Sequence, residues 1–442
     1  MTTAKSSPLP LPAAFELHVV SKVKRRLLPF LIVCFFVAFL DRVNVGFAAL
    51  QMNIQLGLTP RVFGFGAGLF FLGYFLFEIP SNLILHRIGA RIWIARIMAT
   101  WGILACLAAF ACGQTSFLVL RFLLGIAEAG FFPGVLLYFS LWFPAGSRAG
   151  VMATFSLGSV VSLVAAPPVS AYLLHLDGLA GLHGWQWLFL LEGSPSIALG
   201  VAAFFFLTDC PERAAWLNRD EREWLTSTLL VQANNKGSVQ YDSILQSLAT
   251  PQTGLLAFAA MANIIAMYGV TMWLPQIVKS AGILTDLQVG FVTSLPFLCA
   301  AIAMTVNGAH SDRTGEQRWH ILLWAIAGAA GFVLAATAGN AWIGLSGICL
   351  AAMGIWCSNT VFWVVPMRLF TGVSAAANLA LINSIGNLGG FIGPYLTGEI
   401  RQLSGGYAAA LLTLGGSLTL FGILMFFFLQ KQEAASPRLL IT

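Results

Sequence analysis

The feature that most constrains this chain is a series of long apolar stretches, each close to the length that crosses a lipid bilayer. About 20 residues of helix span the hydrocarbon core of a membrane. Hydrophobic residues make up 58% of the chain and charged residues only 9%, against about 25% charged in soluble domains. The stretches lie at about 27–48, 63–85, 92–112, 115–139, 150–174, 187–208, 252–278, 287–309, 319–338, 341–366, 373–397 and 407–430. The sequence therefore predicts an all-α membrane protein with twelve transmembrane helices.

One long polar segment, residues 209–250, divides the apolar stretches into two sets of six. It contains Pro211 and a run of charges at 219–223, which is typical of a solvated linker helix. The predicted organisation is a tail at 1–26, a six-helix bundle at 27–208, the linker at 209–250, a second six-helix bundle at 251–430 and a tail at 431–442.

The distribution of Lys and Arg between the loops predicts the orientation of the chain. With both ends inside, the loops on the opposite side hold only Arg61, Lys279 and Arg401, while the remaining loop and tail cations lie on the inner side. An excess of Lys and Arg marks cytoplasmic loops. We therefore expect both termini to lie in the cytoplasm. The first apolar stretch is expected to remain as a transmembrane helix, because no signal-peptide cleavage site follows it.

Residues 120–134 carry two opposite charges within an apolar segment that we expect to form one helix. Arg121 and Glu128 are seven residues apart and so share one helix face, with Gly125 between them. A charge in the middle of a bilayer is costly, and such residues usually face a cavity or one another. The pattern predicts an interior space that offers a cation for an anion and a carboxyl for a proton.

Asp41 and Arg42 form a second pair of charges, deep in the first apolar stretch. Neighbouring residues on a helix point in different directions, so these two need not pair with each other. A functional interpretation is that Asp41 binds a proton during a cycle and Arg42 responds. The alternative is a structural ion pair that holds helices together.

Two loops at equivalent places in the two predicted halves resemble each other: HRIGAR at 86–91 and SDRTGEQR at 311–318. The segment GAHSDRTG resembles the loop signature of the major facilitator superfamily. FLDRVNVGFAAL, GYFLFEIPSNLI, RFLLGIAEAGFFPG, GWQWLFLLEGSPS and ALINSIGNLGGFIGPYLTG resemble its anion:cation symporter branch, and within it bacterial permeases for tartrate, phthalate and hydroxyphenylacetate. The resemblance implies the major facilitator fold in two six-helix halves.

The resemblance also implies roles for individual residues. Asp41 and Glu128 are expected to couple protons, and Arg121 to handle the substrate anion. Arg42, beside Asp41, is a further candidate for substrate binding. Tyr74 is expected to donate a hydrogen bond in the cavity, and Trp363 to form a wall against the substrate, although a lone Tyr or Trp in a span more often packs or lies at the membrane surface.

Asn383 and Asn387 are one helical turn apart and share a face. Buried amides need hydrogen-bond partners. They could bind substrate oxygens, or they could join neighbouring helices. Both are candidate substrate-binding residues.

The motifs that are missing exclude other classes of function. The chain contains no P-loop, no set of nucleophile and base, and no metal-binding cluster. We expect a transporter and no enzyme, a monomer without cofactor or metal, and no nucleic acid partner. The predicted function is proton-coupled import of a small organic carboxylate, tartrate-like or aromatic, across a bacterial inner membrane. The alternative is a proton-coupled antiporter or a facilitator of the same fold with another kind of substrate.

Overall fold

The structure is a computed structural model that describes residues 13–234, 250–280, 282, 284–370 and 374–435, and the statements below refer to those residues. They form α-helices joined by short connections, with no β-strand among them. The helices are α1 (Ala13–Gln55), α2 (Pro60–Ile88), α3 (Ala90–Leu107), α4 (Gln114–Glu128), α5 (Phe131–Trp142), α6 (Ala145–Leu173), α7 (Gly184–Phe206), α8 (Arg219–Asn234), α9 (Pro251–Lys279), α10 (Asp286–Thr314), α11 (Arg318–Thr337), α12 (Ala341–Leu369), α13 (Ser374–Ser404) and α14 (Ala408–Ala435).

The prediction of an all-α membrane fold is confirmed. Eleven spans within the described residues are long and apolar enough to cross a membrane, and α4 and α5 together count as one of them. Helix α13, with 31 residues, supplies the twelfth. Helix α1 begins at Ala13, well before residue 27, where we expected the first span to start. Helix α8 lies within the polar segment that separates the two sets of six spans.

Several helices begin at residues that satisfy the free backbone N–H groups of the first turn. The Thr59 hydroxyl accepts from the Val62 N–H at the start of α2, and Pro60 follows it. A proline at the first helical position costs nothing, because its missing N–H would have no partner there. Thr250 caps α9 in the same way, and Thr285 forms a reciprocal capping box with Gln288 at α10.

The spans form an N-terminal half (α1–α7) and a C-terminal half (α9–α14). Across the boundary between them, α2 packs on α13, α6 on α10, and α1 on α9. We call the end where α1 begins and α14 ends the terminal face, and the opposite end, where α1 ends and α2 begins, the far face.

The closest approaches between the halves occur toward the far face. A Cβ added at Gly64 of α2 would lie 2.5 Å from the carbonyl oxygen of Pro394 in α13. A Cβ added at Gly290 of α10 would lie 2.7 Å from the carbonyl oxygen of Pro167 in α6. Small residues let helix backbones pack this closely in membranes. The far face is therefore closed by direct backbone contact between the halves.

Helix α8 packs on the N-terminal half. The Lys22 ammonium donates a 2.6 Å hydrogen bond to the Glu221 carboxylate, and Phe15 meets Trp224 edge-on. Just before α8, Trp216 stacks on Trp142 of α5 at 5.3 Å between ring centres. The charged run at 219–223 thus begins a helix that is partly exposed to water and is held to α1 by the buried Glu221 carboxylate.

Candidate functional site

A cavity lies between the two halves. The N-terminal half contributes charged and aromatic side chains to its wall, and the C-terminal half contributes amides, one tyrosine and one tryptophan. From the N-terminal half they are Phe35, Ala38, Phe39, Arg42, Phe70, Phe71, Tyr74, Glu128, Phe131 and Phe132, and from the C-terminal half Ile264, Met267, Tyr268, Asn359, Trp363, Asn383 and Asn387. We refer to this space as the central cavity.

Arg42 and Glu128 form an ion pair on the wall of the central cavity. The Arg42 guanidinium donates through Nη2 to Glu128 Oε1, and through Nη1 to the Tyr268 hydroxyl at 3.3 Å. The Arg42 side chain is 15% exposed and that of Glu128 only 2%. The guanidinium also lies over the rings of Phe39 and Tyr74, at 5.0 and 5.8 Å from their centres. Arg42 thereby connects a carboxylate of one half to a hydroxyl of the other.

The helix that we expected across residues 120–134 is broken, which corrects the sequence prediction. Helix α4 ends at Glu128, Ala129 has an extended ψ of 128°, and Gly130 adopts a left-handed conformation with φ 90° before α5 begins. The Ser81 hydroxyl donates a 2.6 Å hydrogen bond to the Ala129 carbonyl oxygen, and the Trp93 indole donates to the same hydroxyl. Irregular backbone within a membrane needs such partners inside the protein. The break therefore places Glu128 at a helix end, beside the central cavity.

The position of Arg121 also differs from the expectation. Its side chain is 4% exposed, and its guanidinium donates weakly, at 3.4 Å, to the backbone carbonyl oxygens of Gly66 and Ala67 in α2. It lines a second, much smaller cavity inside the N-terminal half, and it is absent from the wall of the central cavity. The physical reason is the packing of α4 on α2, where a Cβ at Gly125 would lie 2.0 Å from the Phe70 carbonyl oxygen. Arg42 and not Arg121 is the guanidinium that reaches the space between the halves.

Asp41 faces away from the central cavity. One carboxylate oxygen accepts a 2.9 Å hydrogen bond from the Ser196 hydroxyl of α7, and the other accepts a 3.4 Å hydrogen bond from Asn44. Asp41 also lines the smaller cavity with Arg121. As the helix geometry predicts, the adjacent residues Asp41 and Arg42 have different partners.

Four further candidates lie where the sequence analysis expected them, on the wall of the central cavity: Tyr74, Trp363, Asn383 and Asn387. Within the described residues, neither asparagine amide forms a hydrogen bond to another side chain. The amides are therefore available to a ligand. In contrast, the hydroxyls of Ser159 and Thr360 bond to carbonyl oxygens of their own helices.

The sequence analysis missed Tyr268 and Asn359, which also line the central cavity. A signal for Asn359 was present, because it lies four residues before Trp363 and so shares its helix face. Tyr268 is a polar aromatic in an apolar span, the same signal that singled out Tyr74. Neither residue lies next to a charged residue in the sequence, and charges within apolar spans were the main signal of the sequence analysis.

The fold and the cavity between its halves define a membrane transport protein that spans the bilayer many times. A model of the Major Facilitator Superfamily matches residues 31–394, and the chain belongs to that family. A protein of Agrobacterium vitis named "Putative tartrate transporter" is 48% identical over 408 residues, which cover 92% of this chain and 94% of that protein. A "Quinolone resistance transporter" of Acinetobacter baumannii is 38% identical over 93% of this chain and 94% of its own length.

The fold is also similar to solved structures. A crystal structure of a bacterial homologue of the human lysosomal transporter Spinster superposes with a TM-score of 0.76, covering 95% of this chain and 98% of that one. At 17% identity the likeness concerns the fold alone. The predicted major facilitator fold is thus confirmed, and the chain is a transporter and no enzyme.

Proposed function

We propose that this protein is a proton-coupled symporter that imports a small organic carboxylate by alternating access of its two halves. The observation that carries the proposal is the Arg42–Glu128 ion pair on the wall of the central cavity. The relatives named for tartrate transport, at 47% and 48% identity, support a carboxylate as the substrate.

The charges of the central cavity supply the coupling. When Glu128 is ionised, its carboxylate neutralises Arg42. A substrate carboxylate that entered the cavity would then find no free cation to bind. A proton on Glu128 releases the guanidinium, which can then hold the substrate carboxylate through two parallel hydrogen bonds. An unpaired buried charge is costly, so proton and anion bind together and leave together. After the proton leaves, Arg42 pairs with Glu128 again and the substrate is expelled.

Co-transport of protons also solves an electrical problem. An anion that enters a cell with an inside-negative potential is opposed by about 2.3 kcal/mol per charge for each 100 mV. One proton per carboxylate removes this penalty, and a second would add a driving force. We assign one proton to Glu128 and another to Asp41, which lies inside the N-terminal half.

The opposite wall is suited to the body of the substrate. Asn359, Asn383 and Asn387 offer both donors and acceptors, which match the hydroxyls of a tartrate-like acid. Trp363 and the phenylalanines offer flat apolar surface, which matches an aromatic acid. We assign the substrate carboxylate to Arg42 with Tyr74 beside it, and the rest of the substrate to these side chains. Arg121 acts from within the N-terminal half, without touching the ligand.

The same proposal includes the orientation in a bacterial inner membrane. The excess of Lys and Arg on the terminal face supports a cytoplasmic position for both termini and the linker. The far face, which is closed here, is then the outer one. In this state the central cavity would exchange its contents with the cytoplasm.

The test is transport in proteoliposomes, with L-tartrate as the first substrate. An inward proton gradient should drive accumulation of labelled tartrate by the wild-type protein. Each linked proton makes the affinity fall about tenfold for each pH unit above its titration. Glu128→Gln loses one of the two linked protons, so its affinity for tartrate should fall less steeply with rising pH than that of the wild type. A pH-independent wild-type affinity would refute the role of Glu128. A gradient that drives no uptake of tartrate or of an aromatic acid would refute the symport of carboxylates.

The relative named for quinolone resistance supports an alternative, export by proton antiport. The six phenylalanines of the cavity wall would accommodate a large aromatic molecule. A pH-sensitive dye inside the vesicles separates the two mechanisms. Symport acidifies the lumen as the substrate enters, whereas antiport makes it more alkaline.

A further inference from the structure

The N-terminal half contains a cluster of polar side chains that does not touch the central cavity. Its centre is Asp41, 2% exposed, with the Ser196 hydroxyl at 2.9 Å and the Asn44 amide at 3.4 Å. Ser196 lies on α7, one helical turn after Glu192, so these two residues project from the same face of that helix. The cluster therefore brings a second carboxyl to the side of Asp41.

Glu192 is buried as completely as Asp41, with 3% of its surface exposed. The Ser170 hydroxyl of α6 donates a 2.7 Å hydrogen bond to its Oε1 atom. Its Oε2 atom forms no well-aligned hydrogen bond among the described residues. The Asn44 amide, which bonds to Asp41, also lies close to Glu192. An ionised Glu192 would thus hold a buried negative oxygen with at most a weak donor.

The charged and titratable groups around the pair come from three helices, α1, α3 and α4. Arg121 of α4 is the cation that lines the same small cavity as Asp41. The Cys106 thiol of α3 also lies near Asp41 and is neutral as a thiol. Arg42 and Glu128 neutralise each other at the central cavity. The pair thus has two carboxyls, and Arg121 is the cation on the wall next to Asp41.

One shared proton stabilises this pair. Two adjacent carboxylates in a medium of low polarity repel each other, and burial penalises each charge further. If the pair holds one proton, the repulsion between its two charges is removed and a single negative charge remains in the cluster. The protonated carboxyl also becomes a hydrogen-bond donor, which the weakly paired Glu192 oxygen can use. Coupled carboxyls of this kind titrate as a unit.

We propose that Asp41 and Glu192 share one proton inside the N-terminal half, and that Glu192 is therefore a further proton-coupling residue of this transporter. The inference rests on the proposed proton-coupled transport only for the second part of this statement. The sharing of the proton follows from the buried pair itself. Glu192 touches neither the substrate nor the central cavity, so it acts through Asp41.

The proposal makes the two residues equivalent in a specific way. In Asp41→Asn, the remaining Glu192 carboxylate has no neighbouring carboxylate and needs no shared proton. In Glu192→Gln, the same holds for the remaining Asp41 carboxylate. Each variant removes the repulsion between the two carboxyls and so should fold, and each loses the same single proton. If Asp41 alone bound the proton, Glu192→Gln would keep the carboxylic acid band and the proton-to-substrate ratio of the wild type.

The first measurement is the infrared spectrum of the purified protein at neutral pH. We expect a carboxylic acid band in the wild type that is absent from Asp41→Asn and from Glu192→Gln. Ser170→Ala should shift this band without abolishing it, because Ser170 donates to Glu192. The matched control is Glu221→Gln, which alters a buried carboxylate that is paired with Lys22 outside the membrane and should leave the band unchanged.

The second measurement is the number of protons taken up with each substrate molecule in proteoliposomes. Asp41→Asn and Glu192→Gln should each lower the wild-type ratio by one proton, while exchange of labelled for unlabelled substrate continues. A Glu192→Gln protein that keeps both the band and the ratio would overturn the proposal. If that variant does not fold, a band unmoved by Ser170→Ala overturns it instead. A wild type that moves no protons would refute the symport mechanism, and the band would still decide whether the pair shares a proton.

Discussion

Arg61 of α2 and Glu399 of α13 join the two halves at the far face through two parallel hydrogen bonds. One of them, from Arg61 Nε to Glu399 Oε2, is 2.6 Å long. The side chains are 53% and 24% exposed, so the pair lies at the surface. Nearby, Asn53 of α1 donates to the Gln276 side chain of α9. These contacts lie outside the tight backbone approaches that close this face.

Loss of this ion pair should favour opening of the far face, but only modestly. Exposed ion pairs contribute about 0–1 kcal/mol, so Arg61→Gln should raise the open fraction by at most about fivefold. Spin labels attached at the exposed positions 54 and 403 would show this as a longer second distance. The charge swap Arg61→Glu with Glu399→Arg should restore the wild-type distances. Identical distances in Arg61→Gln and the wild type would show that the backbone contacts alone keep this face closed.

Substitution of the two buried arginines should have different effects. Arg42→Gln removes the cation of the central cavity and should weaken binding of the substrate carboxylate by roughly 10- to 100-fold, the value of a charged hydrogen bond. Arg121→Gln removes the buried cation that lines the small cavity with Asp41. It should lower the unfolding temperature, while ligand affinity stays within about twofold of the wild type.

Isothermal titration with the transported acid and thermal unfolding in detergent measure these two effects. Arg42→Lys is the matched control, since it keeps the charge but loses the planar fork of donors, and it should bind with intermediate affinity. The assignment of the ligand to Arg42 is wrong if Arg121→Gln weakens binding more than Arg42→Gln does.

The helix break beside Glu128 should tolerate no side chain at its glycine. Gly130 has φ 90°, and a Cβ there would lie 2.2 Å from the Ser81 hydroxyl oxygen. Gly130→Ala should therefore destabilise the protein by at least about 1 kcal/mol, since it combines an unfavourable backbone conformation with a clash. Gly146→Ala is the control, because a Cβ at Gly146 meets nothing within 4 Å. Equal unfolding temperatures for the two variants would mean that the backbone at Gly130 rearranges freely.

The contact of the linker helix with α1 should depend on pH through Glu221. Burial alone would raise the pKa of this carboxyl, but the Lys22 hydrogen bond, the Asn218 N–H and the His18 side chain outweigh burial and lower the pKa below its ordinary 4.5. A carboxyl whose pKa is lowered by folding stabilises the fold above its unfolded pKa, and this contribution is lost as the pH falls through the folded value. The contact should therefore persist at neutral pH and weaken only below about pH 4.5.

Limited proteolysis between residues 210 and 234 reports on this contact. Lys22→Gln should make the segment easier to cleave at pH 7, because Glu221 then lacks its main partner. Arg219→Gln is a suitable control, since the Arg219–Glu223 pair is exposed and contributes little. Cleavage that is equally slow in all three proteins would assign the anchoring to the aromatic contacts of Trp216 and Trp224.

The sequence predicted the fold well because hydrophobic length is a direct physical requirement of the bilayer. It predicted the candidate site less well, because periodicity shows which residues share a helix face but not what that face packs against. The spacing of Arg121 and Glu128 placed both on one face, yet the break at Gly130 and the close packing of α4 on α2 separate their environments. No local pattern distinguishes the interior of one half from the cavity between two halves.

Asp41 and Arg42 show that helix geometry can indicate a difference between two residues without identifying their partners. Helix geometry correctly indicated that these neighbours have different partners, but only the tertiary structure names them as Ser196 and Glu128. The proximity of Glu192 to Asp41 arises from the packing of α7 against α1. Contacts between distant segments therefore supply what periodicity cannot.

Helix α8 is fastened by Lys22, Phe15 and the Trp142 ring to segments of the N-terminal half. When the halves tilt against each other, these attachments travel with one partner and need not break. Helix α8 would then move as a rigid body with the N-terminal half. A fluorophore placed on its outer surface would report the rotation of that half without perturbing the contacts between the halves.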